Sequence, residues 1–77
     1  MKKIALTQMA ANRKCKVVDI QGGQNLQNKL MSMGVYKGKD IFKLSHIGLK
    51  GPVVVKVGRT ILALGHGIAA RVVVEPE

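Results

Sequence analysis

One stretch of the sequence decides the fold: Gln24-Asn25-Leu26-Gln27-Asn28-Lys29-Leu30-Met31-Ser32-Met33-Gly34. Within it Leu26, Leu30 and Met33 recur at i, i+4 and i+7, a spacing that places them on one face of a helix. Gly34 follows directly, and glycine favours the left-handed conformation in which many helices end. We therefore predict a helix over Gln24 to Met33 whose three apolar residues pack into the core.

The rest of the chain predicts strands. Runs rich in Val, Ile and Leu alternate with turn residues, and each run has the length of a short strand. Gly58-Arg59 separates two of the runs and has the pattern of a type II′ hairpin turn. A loop is expected over 46–52 and a short helical turn over 65–70. The predicted strands are 14–20, 40–45, 53–57, 60–64 and 71–75, with Val53, Val55, Val57, Val72 and Val74 facing inward.

Five short strands and one helix limit the possible architectures. They are too few to form two stacked sheets of useful size, and an open sheet would leave edges free to pair with other chains. A small, partly closed barrel avoids both difficulties. We therefore predict a mainly β fold, a small barrel of about five strands with a helix between the first two, as a single domain over 1–77.

Composition narrows the partners and the compartment. Thirteen Lys and Arg against four Asp and Glu give a net charge of +9, which favours nucleic acid, anionic lipid or an acidic protein surface. Cys15 is the single cysteine, a usage typical of a reducing compartment, so we expect a cytoplasmic protein. The apolar run Ile4-Ala5-Leu6 is too short for a secretory signal, and charged residues interrupt every longer apolar region.

Residues with chemical function are few and scattered. Catalysis needs a nucleophile or base beside an orienting partner, and Cys15, His46 and His66 show no such spacing with the carboxylates. Two histidines twenty positions apart also make no metal-ligand motif. We expect no catalytic residues, no metal site and no cofactor, with His46 solvated in a loop and His66 in a turn.

The helix exit offers a candidate docking surface instead. Met31 lies off the apolar stripe of the helix, and Tyr36 is expected on the outer side of the loop that follows. Lys37, Lys39 and Lys43 would give this apolar anchor a basic rim, with strand alternation placing Lys39 and Lys43 on one face. Exposed apolar residues inside a polar rim are typical of protein interfaces. We predict that these five residues bind a partner.

The order of these motifs resembles the FeoA family, the ferrous iron transport protein A group. The resemblance runs from about Leu6 to Val74 and is strongest at the helix exit, Lys29-Leu30-Met31-Ser32-Met33-Gly34-Val35-Tyr36-Lys37-Gly38. Gly51-Pro52, Ala63-Leu64-Gly65 and Arg71-Val72-Val73-Val74 continue it. Gly34, Gly38 and Gly65 match glycine positions of the family pattern, whereas Lys37 occupies a position at which proline is usual.

The resemblance implies an SH3-like barrel that is cytosolic and non-enzymatic. It also implies a partner, the FeoB-type ferrous iron transporter with its cytosolic GTPase region, and through it a location at the inner membrane. Charge alone would allow contact with an anionic membrane surface as well. Two alternatives stay open: a basic SH3-like nucleic-acid-binding module, which Tyr36 and Phe42 serve poorly as stacking residues, and a small metal carrier.

Overall fold

The chain folds into one antiparallel sheet with two short helices and a 3₁₀ turn. These elements come from a computed structural model, which describes residues 2–48 and 50–77. Leu49, in the predicted loop 46–52, lies outside the described residues. In chain order the elements are β1 (Ile4–Ala5), a 3₁₀ turn (Leu6–Gln8), β2 (Arg13–Ile20), α1 (Gln24–Ser32), β3 (Asp40–His46), β4 (Val53–Val57), β5 (Thr60–Leu64), α2 (His66–Ala69) and β6 (Val72–Pro76).

The strands are not arranged in the order of the sequence. The order across the sheet is β1-β6-β2-β3-β4-β5, and every neighbouring pair is antiparallel. Val74 of β6 lies between Ile4 of β1 and Val17 of β2. The extents of 27 × 26 × 23 Å are nearly equal, so the sheet wraps around a core instead of lying flat.

The mainly β prediction is confirmed, with six strands in the described residues in place of about five. The additional strand is β1, which pairs Ile4 with Val74 and Ala5 with Val73. Two residues carry no periodicity, so the sequence alone gave no signal for it. The hairpin prediction is also confirmed: Gly58 has φ +60 while Arg59 has a negative φ, as a type II′ turn requires.

The core is aliphatic and lies on the inner face of the sheet. The alternation predicted for β4 and β6 is confirmed. Val53, Val55 and Val57 of β4 are buried, and so are Val72 and Val74 of β6. Branched aliphatic side chains suit this pleated surface because they pack well with little loss of rotamer freedom. The fully buried apolar side chains are Leu6, Cys15, Val17, Leu30, Val35, Val53, Val55, Ala69, Val72 and Val74.

Helix α1 ends as its sequence predicts. Gly34 adopts φ +90, its N–H donates to the carbonyl of Met31 at 2.9 Å, and the N–H of Val35 donates to the carbonyl of Leu30 at 2.9 Å. This pair of bonds is the Schellman motif, which satisfies carbonyls that the helix end leaves free. Leu30 and Val35 are buried together, while Leu26 and Met33 pack against the core from its margin.

Lys43 corrects the predicted docking surface. Its side chain is 1% exposed, and its Nζ donates to the carbonyls of Leu6 at 2.9 Å and Met9 at 2.5 Å. Strand alternation puts Lys43 on the same face of β3 as Ile41, and that face is the inner one. The sequence left the choice of face open, because Phe42 and Leu44 make the other face equally apolar. Lys43 therefore supports the N-terminal segment and has no place on the surface.

Candidate partner-docking site

The chain turns sharply after α1, and this turn shapes the exposed surface. The N–H of Lys39 donates to the carbonyl of Tyr36 at 3.1 Å, which closes a four-residue turn. Gly38, third in the turn, has φ +89, as a type II turn requires. Lys37 occupies the second position, where proline is favoured because its ring fixes φ near the required value. This geometry explains why a proline suits that position in the family pattern.

The turn is fixed to the sheet through Val17 of β2. The N–H of Gly38 donates to the Val17 carbonyl at 2.8 Å, and the Val17 N–H donates to the carbonyl of Lys39 at 2.9 Å. Both backbone groups of one strand residue are thus paired with the turn. Tyr36 and Lys37 are consequently presented from a backbone that is anchored on both sides.

A small pocket opens between the turn and α1. It has a volume of about 190 Å³, and Met31 and Tyr36 on its wall are 58% and 40% exposed. A concavity of this size, bordered by exposed apolar side chains, has room for one side chain of another molecule. We name this surface the helix-exit patch, formed by Ile20, Gln27, Met31, Tyr36 and Lys37.

The charge of the helix-exit patch is partly compensated. Lys37 Nζ lies 3.5 Å from Oδ1 of Asp19, and the same Oδ1 accepts the N–H of Ile20 at 2.9 Å. Both charged side chains are more than half exposed, so water screens their attraction and the pair contributes little stability. Breaking the pair between Lys37 and Asp19 therefore costs little free energy.

The structure brings together three of the five predicted docking residues. Met31, Tyr36 and Lys37 line one pocket. Lys39 is half-buried and does not line the pocket, and Lys43 is inside the core. Sequence reasoning missed two lining residues, although one of them, Gln27, is four positions before Met31 and so on the same helix face. Ile20 gave no signal, because only the folded chain places the end of β2 beside the residues of α1 and the turn that line the pocket.

A larger depression lies beside the chain termini. It has a volume of about 430 Å³ and is lined by Lys2, Ile4, Gln8, Met9, Ala10, Arg13 and Pro76. Beside it, Arg13 Nη2 donates a hydrogen bond to the Glu77 carbonyl at 2.6 Å. Lys14 Nζ also lies 3.9 Å from a Glu77 carboxylate oxygen. The Glu77 carboxylate thus lies close to the N-terminal cluster of basic residues, at the side of the depression.

The two histidines meet in space, which the sequence did not indicate. Their ring centroids are 5.7 Å apart with 29° between the ring planes. His46 ends β3 and His66 begins α2, and both are half-buried, so the expectation of a solvated His46 is wrong. Nε2 of His46 and Nδ1 of His66 are buried without a hydrogen-bond partner. The contact arises from the sheet, which carries residue 46 toward the strand end that precedes residue 66.

The chemistry of the remaining candidate residues is limited. Burial raises the pKa of the Cys15 thiol to about 11, with a further contribution from Glu77, so the thiol is protonated at neutral pH. No group of three or more His, Cys, Asp or Glu side chains that could hold a metal ion occurs within residues 2–48 and 50–77. None of the helices described here is long and apolar enough to cross a membrane.

Comparison with solved structures supports both the fold and the family. The crystal structure of an iron uptake regulatory protein, FeoA, is 36% identical in sequence, with a TM-score of 0.89 and complete coverage of both chains. A FeoA-like protein from Clostridium acetobutylicum is 25% identical, with a TM-score of 0.84 over 99% of this chain and 88% of that one. The predicted small SH3-like β fold is thereby confirmed.

More distant structures share only the fold. The IdeR protein of T. acidophilum is 20% identical, with a TM-score of 0.85 over all of this chain and 35% of that one. None of the curated proteins compared with the chain matches it. A family model described as the FeoA domain matches residues 4–76. With nearly its whole length matched by that model, the chain belongs to the FeoA family.

Proposed function

We propose that this protein is an accessory component of ferrous iron uptake, which binds the cytosolic GTPase region of a FeoB-type transporter and tunes its activity. Family membership supports the role in iron transport, and a similar FeoA structure is described as an iron uptake regulatory protein. We further propose that the protein acts by binding alone, without catalysis, and that it does so in the cytoplasm.

The helix-exit patch is the observation that carries the docking proposal. Met31 and Tyr36 are two of the four large apolar side chains that are exposed among the described residues, and they share one pocket. Interface energy concentrates in such apolar anchors, whereas a surrounding charge mainly guides encounter and register. In this proposal an apolar side chain of the transporter fills the pocket and an acidic neighbour pairs with Lys37.

Binding to the purified GTPase region tests the proposal. The double variant Met31→Ala with Tyr36→Ala removes both apolar anchors of the pocket, and we expect its affinity to fall by about thirtyfold or more, since interface anchors contribute about 2 kcal/mol or more. Ile47→Ala is the matched control, because Ile47 is 59% exposed but lies outside the patch. Titration calorimetry measures both. Equal affinities for the double variant and the parent protein would refute the patch assignment.

The same titration addresses the nucleic-acid alternative. Binding through phosphate contacts weakens steeply with salt, along a straight line on logarithmic axes. An interface anchored by apolar residues retains most of its affinity at moderate salt. We expect the transporter complex to persist at moderate salt, and tight binding of an oligonucleotide under the same conditions would instead favour the alternative.

A further inference from the structure

Within the part of the chain that the structure describes, the outer edge of β5 has no neighbouring strand. β5 is last in the order of the sheet, and β4 is its one pairing strand among the described residues. Within residues 2–48 and 50–77, no hydrogen bond outside the strand ladders involves 60–64. The opposite edge of the sheet is β1, which is only two residues long. β5 therefore offers the longer run of available backbone groups.

The hairpin geometry determines which groups point outward. Val57 and Thr60 close the two-residue loop and so form a hydrogen-bonded pair, and bonded pairs alternate along an antiparallel ladder. The N–H and C=O groups of Ile61 and Ala63 consequently point away from β4. Both side chains also lie on the outer face, and Ile61 is 63% exposed. An added strand would gain backbone bonds and an apolar contact at the same residues.

This edge lacks the features that usually prevent strand addition. Proteins protect edges with prolines, charged residues, bulges or very short strands. The five residues Thr60–Leu64 contain no proline and no charge, and their register with β4 is unshifted over five pairs. The β1 edge, in contrast, is short and follows Lys2 and Lys3. The protein protects one edge of its sheet and leaves the other open.

Charge indicates what the open edge accepts. Lys56 is exposed and is the register partner of Ile61, so it lies beside that residue on the outer face. Arg59 is in the hairpin turn, and no acidic residue occurs anywhere in 41–74. A second copy of the chain would bring another net charge of +9 and would be repelled. An acidic segment complements the edge in charge as well as in backbone pairing.

We propose that β5 binds an extended acidic segment of another protein, which adds to the sheet as a further strand. Main-chain bonds to Ile61 and Ala63 would supply affinity, while Lys56 and Arg59 would select acidic side chains. This site goes beyond the docking proposed above, since β3 and β4 separate β5 from β2, on which the helix-exit patch is built.

An acetylated peptide of alternating Glu and Val residues is the probe. We expect it to shift the amide resonances of Ile61 and Ala63 and to slow their hydrogen exchange several-fold, because both N–H groups become bonded. A peptide with Gln in place of Glu should bind more weakly, and the difference should shrink as salt is added. Failure to perturb β5, or a larger perturbation at the helix-exit patch, would overturn the proposal.

Two variants separate strand addition from simple charge attraction. Ala63→Pro removes one outward N–H without touching the ladder to β4, and proline is tolerated at such edge positions. We expect about tenfold weaker peptide binding, whereas Ala63→Val retains the N–H and should bind like the parent. If Ala63→Pro unfolds, Ile61→Pro provides the same test, because it removes the other outward N–H and leaves the charge of the protein unchanged. Unchanged binding in the folded variant would refute strand addition.

Sedimentation and the patch variant complete the test. Association of the protein with itself, abolished by Ala63→Pro, would show that a second copy occupies the edge and would overturn the acidic partner. The double variant at Met31 and Tyr36 should bind the peptide like the parent protein. Because the two proposals concern different surfaces, either one can fail in these measurements without the other.

Discussion

Lys43 is the only buried charged side chain in the described part of the chain, and no carboxylate pairs with it. Burial lowers its pKa, and the two carbonyls that accept its Nζ hydrogens compensate for part of the lost hydration. The same carbonyls belong to Leu6 and Met9, which are themselves in the core. Lys43 thus connects β3 to the segment that follows β1.

Replacing Lys43 tests this connection. Lys43→Met keeps the length of the side chain but leaves the Leu6 and Met9 carbonyls without the ammonium donor, and a buried unpaired acceptor costs about 1–3 kcal/mol. We therefore expect the free energy of unfolding in urea to fall by roughly that amount, although removal of the buried charge offsets part of the loss. Hydrogen exchange should quicken at Met9.

Lys39→Met is the matched control at the residue scale. Lys39 lies two positions before Ile41, is only half-buried and has no described side-chain hydrogen bond. Its substitution should change the free energy of unfolding by less than about 0.5 kcal/mol. If both variants unfold at the same urea concentration as the parent protein, the hydrogen bonds of Lys43 contribute no net stability.

At the scale of elements, the exit from α1 joins a helix cap directly to a strand-anchored turn. Gly34 ends the helix, and Gly38 completes the type II turn that Val17 holds against the sheet. Both glycines have φ close to +90°, where other residues are strained. The three residues between the two glycines are therefore fixed in position, and the exposed side chains at Tyr36 and Lys37 have a rigid base.

Proline at position 37 should strengthen this turn. Lys37→Pro fits the second position of a type II turn, and no described hydrogen bond uses the Lys37 N–H. We expect a gain of about 0.4–1 kcal/mol from the lower entropy of the unfolded chain, against a smaller loss of the exposed pair with Asp19. The midpoint of urea unfolding measures the net effect.

The control for this substitution is Lys37→Ala. It removes the same ion pair without restricting the backbone, so the difference between the two variants isolates the effect of proline. A Lys37→Pro protein less stable than Lys37→Ala would contradict the turn geometry described above.

Local patterns in the sequence predict most helices and strands. The features that these patterns do not predict depend on contacts between elements that are distant in sequence. The cap at Gly34 and the valine alternation in β4 depend on neighbours within a few residues, so they are predictable. The pairing of β1 and the meeting of His46 with His66 depend on sheet order, which no local pattern encodes. In the helix-exit patch, the sequence pattern can indicate the residues on α1 and in the turn, but it does not indicate Ile20.

At the scale of the whole molecule, a net charge of +9 should produce salt-sensitive attraction to anionic surfaces. We expect the protein to sediment with vesicles containing anionic lipid at low salt and to be released at about 0.15–0.5 M salt, as the screening length shortens. Vesicles of zwitterionic lipid should not retain it. Light scattering or co-sedimentation measures both.

The double variant at Met31 and Tyr36 serves as the control, since it keeps the charge of the parent protein. It should bind anionic vesicles as well as the parent protein does, although its affinity for the transporter is expected to fall. Retention on vesicles at high salt, reduced by the double variant, would show instead that the helix-exit patch inserts into lipid.

The position of β6 determines when the sheet can be completed during synthesis of the chain. β6 lies between β1 and β2 and pairs with both, although most of the chain separates it from them in sequence. While a ribosome is still translating the chain, β1 and β2 have no strand between them until residues 72–76 leave the exit tunnel. The complete sheet can therefore form only after residues 72–76 have emerged, and a transcript truncated before codon 72 would yield a chain whose valine-rich strands stay exposed to proteases.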